Sequence, residues 1–172
     1  MTKEFGKDTA IEGTFNLANF KGKDANTLGC YDSAGNITMN KSAINSSTLN
    51  SVYDENVKSG YHPSRGNKSA VEAVAAHEYG HSLTENVRKK MGGNLTYDQA
   101  AERIVSEARK TTGHKGNIKF GRSISEYATV SNAETIAEGF SDWYCNGNKA
   151  KAASKAIVNT CKKYLNGQNN SK

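Results

Sequence analysis

The sequence has one proline, three cysteines and few aromatic residues (8%), and each shortage narrows what the chain can be. A single proline, Pro63, excludes Pro-rich linkers and polyproline segments. Cys30, Cys145 and Cys161 are too few and too scattered to staple a small scaffold, and no Cys-x-x-Cys pair offers a structural zinc site. They read as small buried thiols of a reducing compartment. Mean hydropathy is −0.73, and no apolar run approaches the ~20 residues that a spanning helix needs, so no membrane partner is expected. The first residues, Met1-Thr-Lys-Glu-Phe-Gly-Lys-Asp8, carry no apolar stretch of the secretory type, which sets a cytoplasmic location as the expectation.

What remains is 172 residues with 23 Lys and Arg against 17 Asp and Glu, a net charge of +6. That length suits a single domain burying roughly two-thirds of its unfolded surface. A basic balance can indicate nucleic acid, but the cations are dispersed and match no RNP, zinc-knuckle or helix-turn-helix pattern. They read as a solvated surface, and nucleic acid is not the favoured partner.

Along the chain, residues 12–20 alternate over Phe15 and Leu17, and residues 27–31 and 36–40 flank Asp32-Ser-Ala-Gly35 as a hairpin does. Lys41 to Val57 reads as one helix, followed by a loop over Gly60–Gly66. Three capping boxes then open three helices: Ser69 with Glu72, Thr96 with Gln99, and Ser131 with Glu134. The first helix ends near Gly92-Gly93, the second before Gly113, the third at Asn146-Gly147, and a fourth covers Ala150 to Leu165. A short β-rich start followed by helices predicts an α+β fold. The expected organisation is one domain over 1–172, with an N-terminal lobe (1–93), a helical C-terminal lobe (94–165) and a frayed polar tail (166–172).

The chemistry sits in His77-Glu-Tyr-Gly-His81, inside the first of these capped helices. Histidines at i and i+4 share a helical face about 6 Å apart, so both imidazoles can reach one metal ion. Glu78 projects from the adjacent side, placed to take a proton from a metal-bound water and not to ligate. This is the HExxH arrangement of zinc peptidases. Gly80 leaves space for another element to pack closely between the two histidines.

A catalytic zinc wants three protein ligands and one open position. His62 and His114 are candidates for the third, but each lies in a breaker-rich loop, and no further ligand pattern follows His81. A better source is Glu134-Thr-Ile-Ala-Glu138-Gly-Phe-Ser-Asp142, whose three acids form one stripe of a helix. Two registers fit. Either Glu134 ligates and Glu138 accepts the N–H of a ligating histidine, or Glu138 ligates and Asp142 supports it.

Ile124-Ser-Glu-Tyr127-Ala followed by Ser131-Asn-Ala-Glu134-Thr-Ile-Ala-Glu138-Gly-Phe140 resembles the C-terminal signature of the anthrax lethal factor-like zincins. That group includes secreted proline-specific endopeptidases and the peptidase-like domains attached to phage head-morphogenesis proteins. Their pattern is HExGH, then a Tyr-Ala, then a ligand Glu seven residues after that Tyr, and this chain has it from about Gly60 to Leu165. The resemblance implies a zincin-like fold and zinc held by His77, His81 and Glu134, with Glu138 behind them. It also implies that Tyr127 aims its hydroxyl at the oxyanion of the reaction. Residues Asn36–Asn40, Tyr61-His-Pro63 and Ser141-Asp142-Trp143-Tyr144 are similar to the phage-associated branch, which implies a phage or mobile-element setting and a virion as a second location. Gly139 stands where the family often has Ala; it weakens the helix by ~1 kcal/mol and touches no ligand.

The expectation is a zinc-dependent metalloendopeptidase acting on a polypeptide, in which Glu78 assists the attack of a zinc-bound water. Two alternatives stand beside it: a non-catalytic zincin-fold module in phage head assembly, and an intracellular effector protease acting on a host protein.

Overall fold

The computed structural model describes residues 13–45 and 47–167. The tail beyond Gly167, the first residues and the start of the 12–20 strand lie outside them. The architecture is α+β, with a small sheet and mostly helices: β1 (Phe15–Ala18), β2 (Gly29–Tyr31), β3 (Ile37–Asn40), α1 (Lys41–Ile44), α2 (Leu49–Lys58), α3 (Ala70–Met91), α4 (Tyr97–Lys110), α5 (Asn117–Arg122), α6 (Asn132–Asn146) and α7 (Ala152–Leu165). The predicted hairpin is β2–β3, closed by Asp32, whose carboxylate accepts from the backbone N–H of Ala34 and of Asn36. β1 pairs with β3 in parallel, giving the strand order β1-β3-β2 and leaving β2 at an edge.

The predicted helix over 41–57 is two helices. Asn40 caps α1 by accepting from Ser42 N–H, and Asn45, Ser47 and Thr48 follow before α2 begins. Short polar side chains of this kind compete with helical hydrogen bonds and interrupt the run. Phe15 and Leu17, the apolar positions of the alternating stretch, are 53% and 56% exposed. Cys145 and Cys161 are buried as expected, whereas Cys30 is exposed on β2.

Capping holds where the boxes were read. Ser69 with Glu72 and Thr96 with Gln99 close complete reciprocal boxes at α3 and α4, worth about 1 kcal/mol each. At α6 only half of the box forms. Ser131 accepts from Glu134 N–H, but the Glu134 carboxylate is engaged elsewhere.

The core is the meeting of α3, α4, α6 and α7, with Leu83, Val87, Ile104, Ile136, Phe140 and Ile157 fully buried. Ala101, Ile104, Val105 and Ala108 form the inward stripe of α4. Ile37 and Met39 of β3 bury against the same core from the sheet side. Gly139 is more than a weak helix former. A Cβ there would fall 2.7 Å from Ile157 Cδ1, so the missing side chain seats α7.

The contact that sets the site is between α3 and α6. A Cβ on Gly80 would fall 2.6 Å from Ala137 Cα, so the two helix backbones approach more closely than any side chain would allow. Ser141 Oγ donates to Ala73 O at 2.9 Å and fixes the sliding of one helix on the other. Gly80→Ala gains helix propensity of about 1 kcal/mol but forces backbone against backbone, a cost of roughly 1–3 kcal/mol. The variant should be destabilised in urea unfolding; a more stable variant would contradict the close-approach role.

Candidate metal centre

Helix α3 presents His77 and His81 on the face turned toward α6, and α6 presents Glu134 and Glu138 back at them. Ligand atoms of His77, His81 and Glu134 all lie within 4.8 Å of one another. Glu134 Oε2 is 3.1 Å from His77 Nε2 and 3.7 Å from His81 Nε2. That oxygen is buried and makes no well-formed hydrogen bond. A buried carboxylate oxygen without a donor is costly unless a cation serves it. Two imidazole nitrogens converging with this carboxylate oxygen suit a metal ion, and zinc by donor type.

Both imidazoles are oriented for this. His77 Nδ1 donates to Glu138 Oε1 at 2.9 Å, so Nε2, which faces Glu134, is the atom that would bind a metal ion in exchange for its proton. His81 Nδ1 donates to Tyr97 Oη at 3.1 Å, and the same hydroxyl donates to His81 O at 3.3 Å. Each ring thus points Nε2 at the shared site.

Glu138 is not in the ligand group. Its carboxylate is buried, with Oε2 accepting from Ser125 Oγ at 2.7 Å and both oxygens 3.2 Å from His62 Nδ1. Burial pushes its pKa up, but the hydrogen bonds from His62 and His77 outweigh burial and hold it at about 2. Asp142 lies away from the site, accepting from Asn146 Nδ2 and from Lys151 N–H at 2.8 Å each. The arrangement is the register with Glu134 beside the histidines, and Asp142 anchors the start of α7. His114 is also elsewhere, bonded to Thr112 Oγ1 and edge-on to Phe120.

Burial lowers the His77 pKa, yet the Glu134 and Glu138 carboxylates more than reverse this and raise it to about 10. His81 is lowered to about 4, by burial first and then by charge on His77. Glu134 is pushed up by burial, but His77 beside it holds it below the usual carboxylate range. The cluster therefore draws one positive charge to the point between His77 and the two acids.

Glu78 is 5% exposed, and its pKa is raised to about 7, by burial ahead of the opposing pull of His77 and the push of Glu134. It lines an open cleft of about 770 Å³ shared with His77, His81, Glu134 and Tyr127. Tyr127 sits in a 3-10 turn (Tyr127–Thr129), its ring 5.9 Å from that of His77. Burial first, then the charge of Glu134, raises its pKa to about 12, so its hydroxyl is a hydrogen-bond donor at neutral pH.

Three participants were not evident as such in the sequence. Gly29 of β2 makes room for Glu78: a Cβ there would fall 2.9 Å from Glu78 Oε1. A glycine inside a strand pattern is the signal for such an approach. Tyr97 and Ser125 left no comparable trace, because their partners come from other elements. Comparison with protein-family models, curated proteins and solved structures finds no match to this chain.

In the metal-free chain a proton on His77 occupies the position of positive charge, so a metal ion bound there would displace it. At about pH 8, zinc binding should release at least one proton, because the His77 pKa is near 10 while His81 is already neutral. Zinc affinity should rise about tenfold per unit between about pH 6 and 8. Zinc titration in weak buffer with a pH indicator measures this, and a pH-independent affinity would contradict it. Tyr97→Phe removes the hydroxyl that orients His81 and should weaken zinc binding by about 10-fold or more in chelator competition.

Proposed function

We propose that this chain is a zincin-type metalloendopeptidase that hydrolyses peptide bonds with one zinc ion held by His77, His81 and Glu134. The observation that carries the reading is the convergence of His77, His81 and the orphaned Glu134 Oε2, with Glu78 beside them in an open cleft. A structural zinc site closes all four positions with protein, whereas three ligands facing a cleft leave one position for water or substrate. When bound, zinc would acidify a water molecule and polarise the scissile carbonyl.

The protein groups have distinct tasks. Glu78, poised near neutrality, accepts the proton of the attacking water and passes it to the leaving amine. Tyr127 keeps its proton and donates a hydrogen bond as charge develops on the carbonyl oxygen. Glu138 and Tyr97 keep the histidines in the tautomer that leaves both Nε2 atoms available.

Strand β2 supports a polypeptide substrate. Asn40 N–H bonds to Leu28 O and Asp32 N–H to Asn36 O, so the alternation of the antiparallel ladder turns the Gly29 peptide group away from β3. Gly29 also lines the cleft beside Glu78. An extended peptide adding to this edge would lay its backbone across the site. The likeness of Asn36–Asn40, Tyr61-His-Pro63 and Ser141–Tyr144 to phage head-associated peptidase-like domains makes a phage or host protein the proposed substrate.

Glu78→Gln tests the reading directly. It removes the base while keeping the shape, so hydrolysis of a peptide library should fall by at least 10²-fold with zinc still bound at one equivalent. Cleavage at the wild-type rate by this variant would overturn the mechanism.

A further inference from the structure

His62 was a candidate ligand that the structure keeps out of the ligand group, and its surroundings are those of a working residue. The loop that carries it is latched on two sides. Tyr61 N–H donates to Asn56 O at 2.8 Å, tying the loop to the end of α2. Gly60 O accepts from Glu126 N–H at 2.8 Å and Tyr61 O from Tyr127 N–H at 3.1 Å, tying it to the turn that carries Tyr127. Gly60, at a φ of 81°, supplies the left-handed conformation that lets the chain leave α2 in this direction.

These latches place the imidazole between two parts of the site. Its Nδ1 is 3.2 Å from each oxygen of Glu138. Carboxylate oxygens at this distance act as acceptors, which assigns the hydrogen to Nδ1. The ring lies parallel to Tyr53 at 5.3 Å and meets Tyr127 edge-on at 5.5 Å. A hydrogen bond thus runs from His62 to Glu138, and a second from His77 to Glu138. The third donor to that carboxylate, Ser125 Oγ, itself accepts from Ala128 N–H in the Tyr127 turn.

We infer that His62 is a positioning residue: it fixes the Glu138 carboxylate that orients His77, and its ring edge seats Tyr127. Without the Nδ1 donor, a buried carboxylate keeps its charge with one partner fewer and can turn away from His77. The effect belongs first to metal affinity and then to turnover. The assignment rests on the metallopeptidase reading of the site, and zinc affinity judges it separately from cleavage.

Two variants separate the donor from the ring. His62→Phe keeps the stack on Tyr53 and the edge against Tyr127 but loses the donor; His62→Asn keeps a donor where Nδ1 stands but loses the ring. His62→Phe should weaken zinc binding by about 10-fold in chelator competition and lower kcat more than KM. His62→Asn should recover most of the zinc affinity while kcat stays low. In a Glu138→Gln background the charge to be positioned is gone, so His62→Phe should change zinc affinity little further, a readout that holds even if one single variant folds poorly. Wild-type zinc affinity in folded His62→Phe, a melting temperature that falls alone, or additive effects with Glu138→Gln would each overturn the positioning role. Zinc binding by the wild type without any library cleavage would overturn the peptidase reading and leave this comparison to decide on His62. A wild type that binds no zinc would overturn both.

Discussion

The close crossing of α3 and α6 at Gly80 and Ala137 is the constraint on which the rest of the structure depends. Helices with ordinary side chains at the contact sit 8–10 Å apart. At Gly80 and Ala137 the backbones come closer than that, and imidazole and carboxylate from the two helices lie within metal-binding distance of one another. Gly80 lies between His77 and His81, and Ala137 lies between Glu134 and Glu138. The smallest residues therefore stand at the centre of the four functional ones. Packing and chemistry share one contact, so a change that loosens the helix pair also pulls the site apart.

That crossing brings two acids and two histidines together out of water, where unpaired charge is expensive. The two carboxylates divide the work. Glu138 is surrounded by donors from the His62 loop, from Ser125 and from His77, and stays ionised as an acceptor. Glu134 keeps an oxygen without a donor, turned toward the two Nε2 atoms. One acid is satisfied by the protein and the other is left for a cation. This difference in surroundings, and not the identity of the residues, separates support from ligation.

Much of this was legible in the sequence because it is local. The i, i+4 spacing of His77 and His81, the capping residues Ser69, Thr96 and Ser131, and the acidic stripe on α6 all depend on residues within a turn or two of each other. The sequence alone left two registers for that stripe. Choosing between them takes the rotation of α6 against α3, which is set by the Gly80 contact and by Ser141 on Ala73. Tyr97, Ser125 and Gly29 were not legible as parts of the site, since each acts on a partner from another element. The same reason explains the helix read over 41–57. Its apolar spacing is compatible with one helix, but the break falls at Asn45, Ser47 and Thr48, residue types that favour turns over helix interiors.

The start of α6 shows how local and tertiary demands compete for one side chain. At α3 and α4 the residue three beyond the cap reaches back and closes the box. At α6 the residue in that position is Glu134. Its backbone N–H is still capped by Ser131, but its carboxylate faces His77 and His81. The helix forgoes one of two reciprocal bonds at its first turn, a loss of a fraction of the ~1 kcal/mol that a cap contributes. Its N-terminal position still favours a carboxylate through the helix dipole, so the ionised form that a metal requires is supported by the backbone itself. A residue that satisfies the sequence rule for a cap, and then declines the second half of it, marks the place where the fold gives up local stability to build a site.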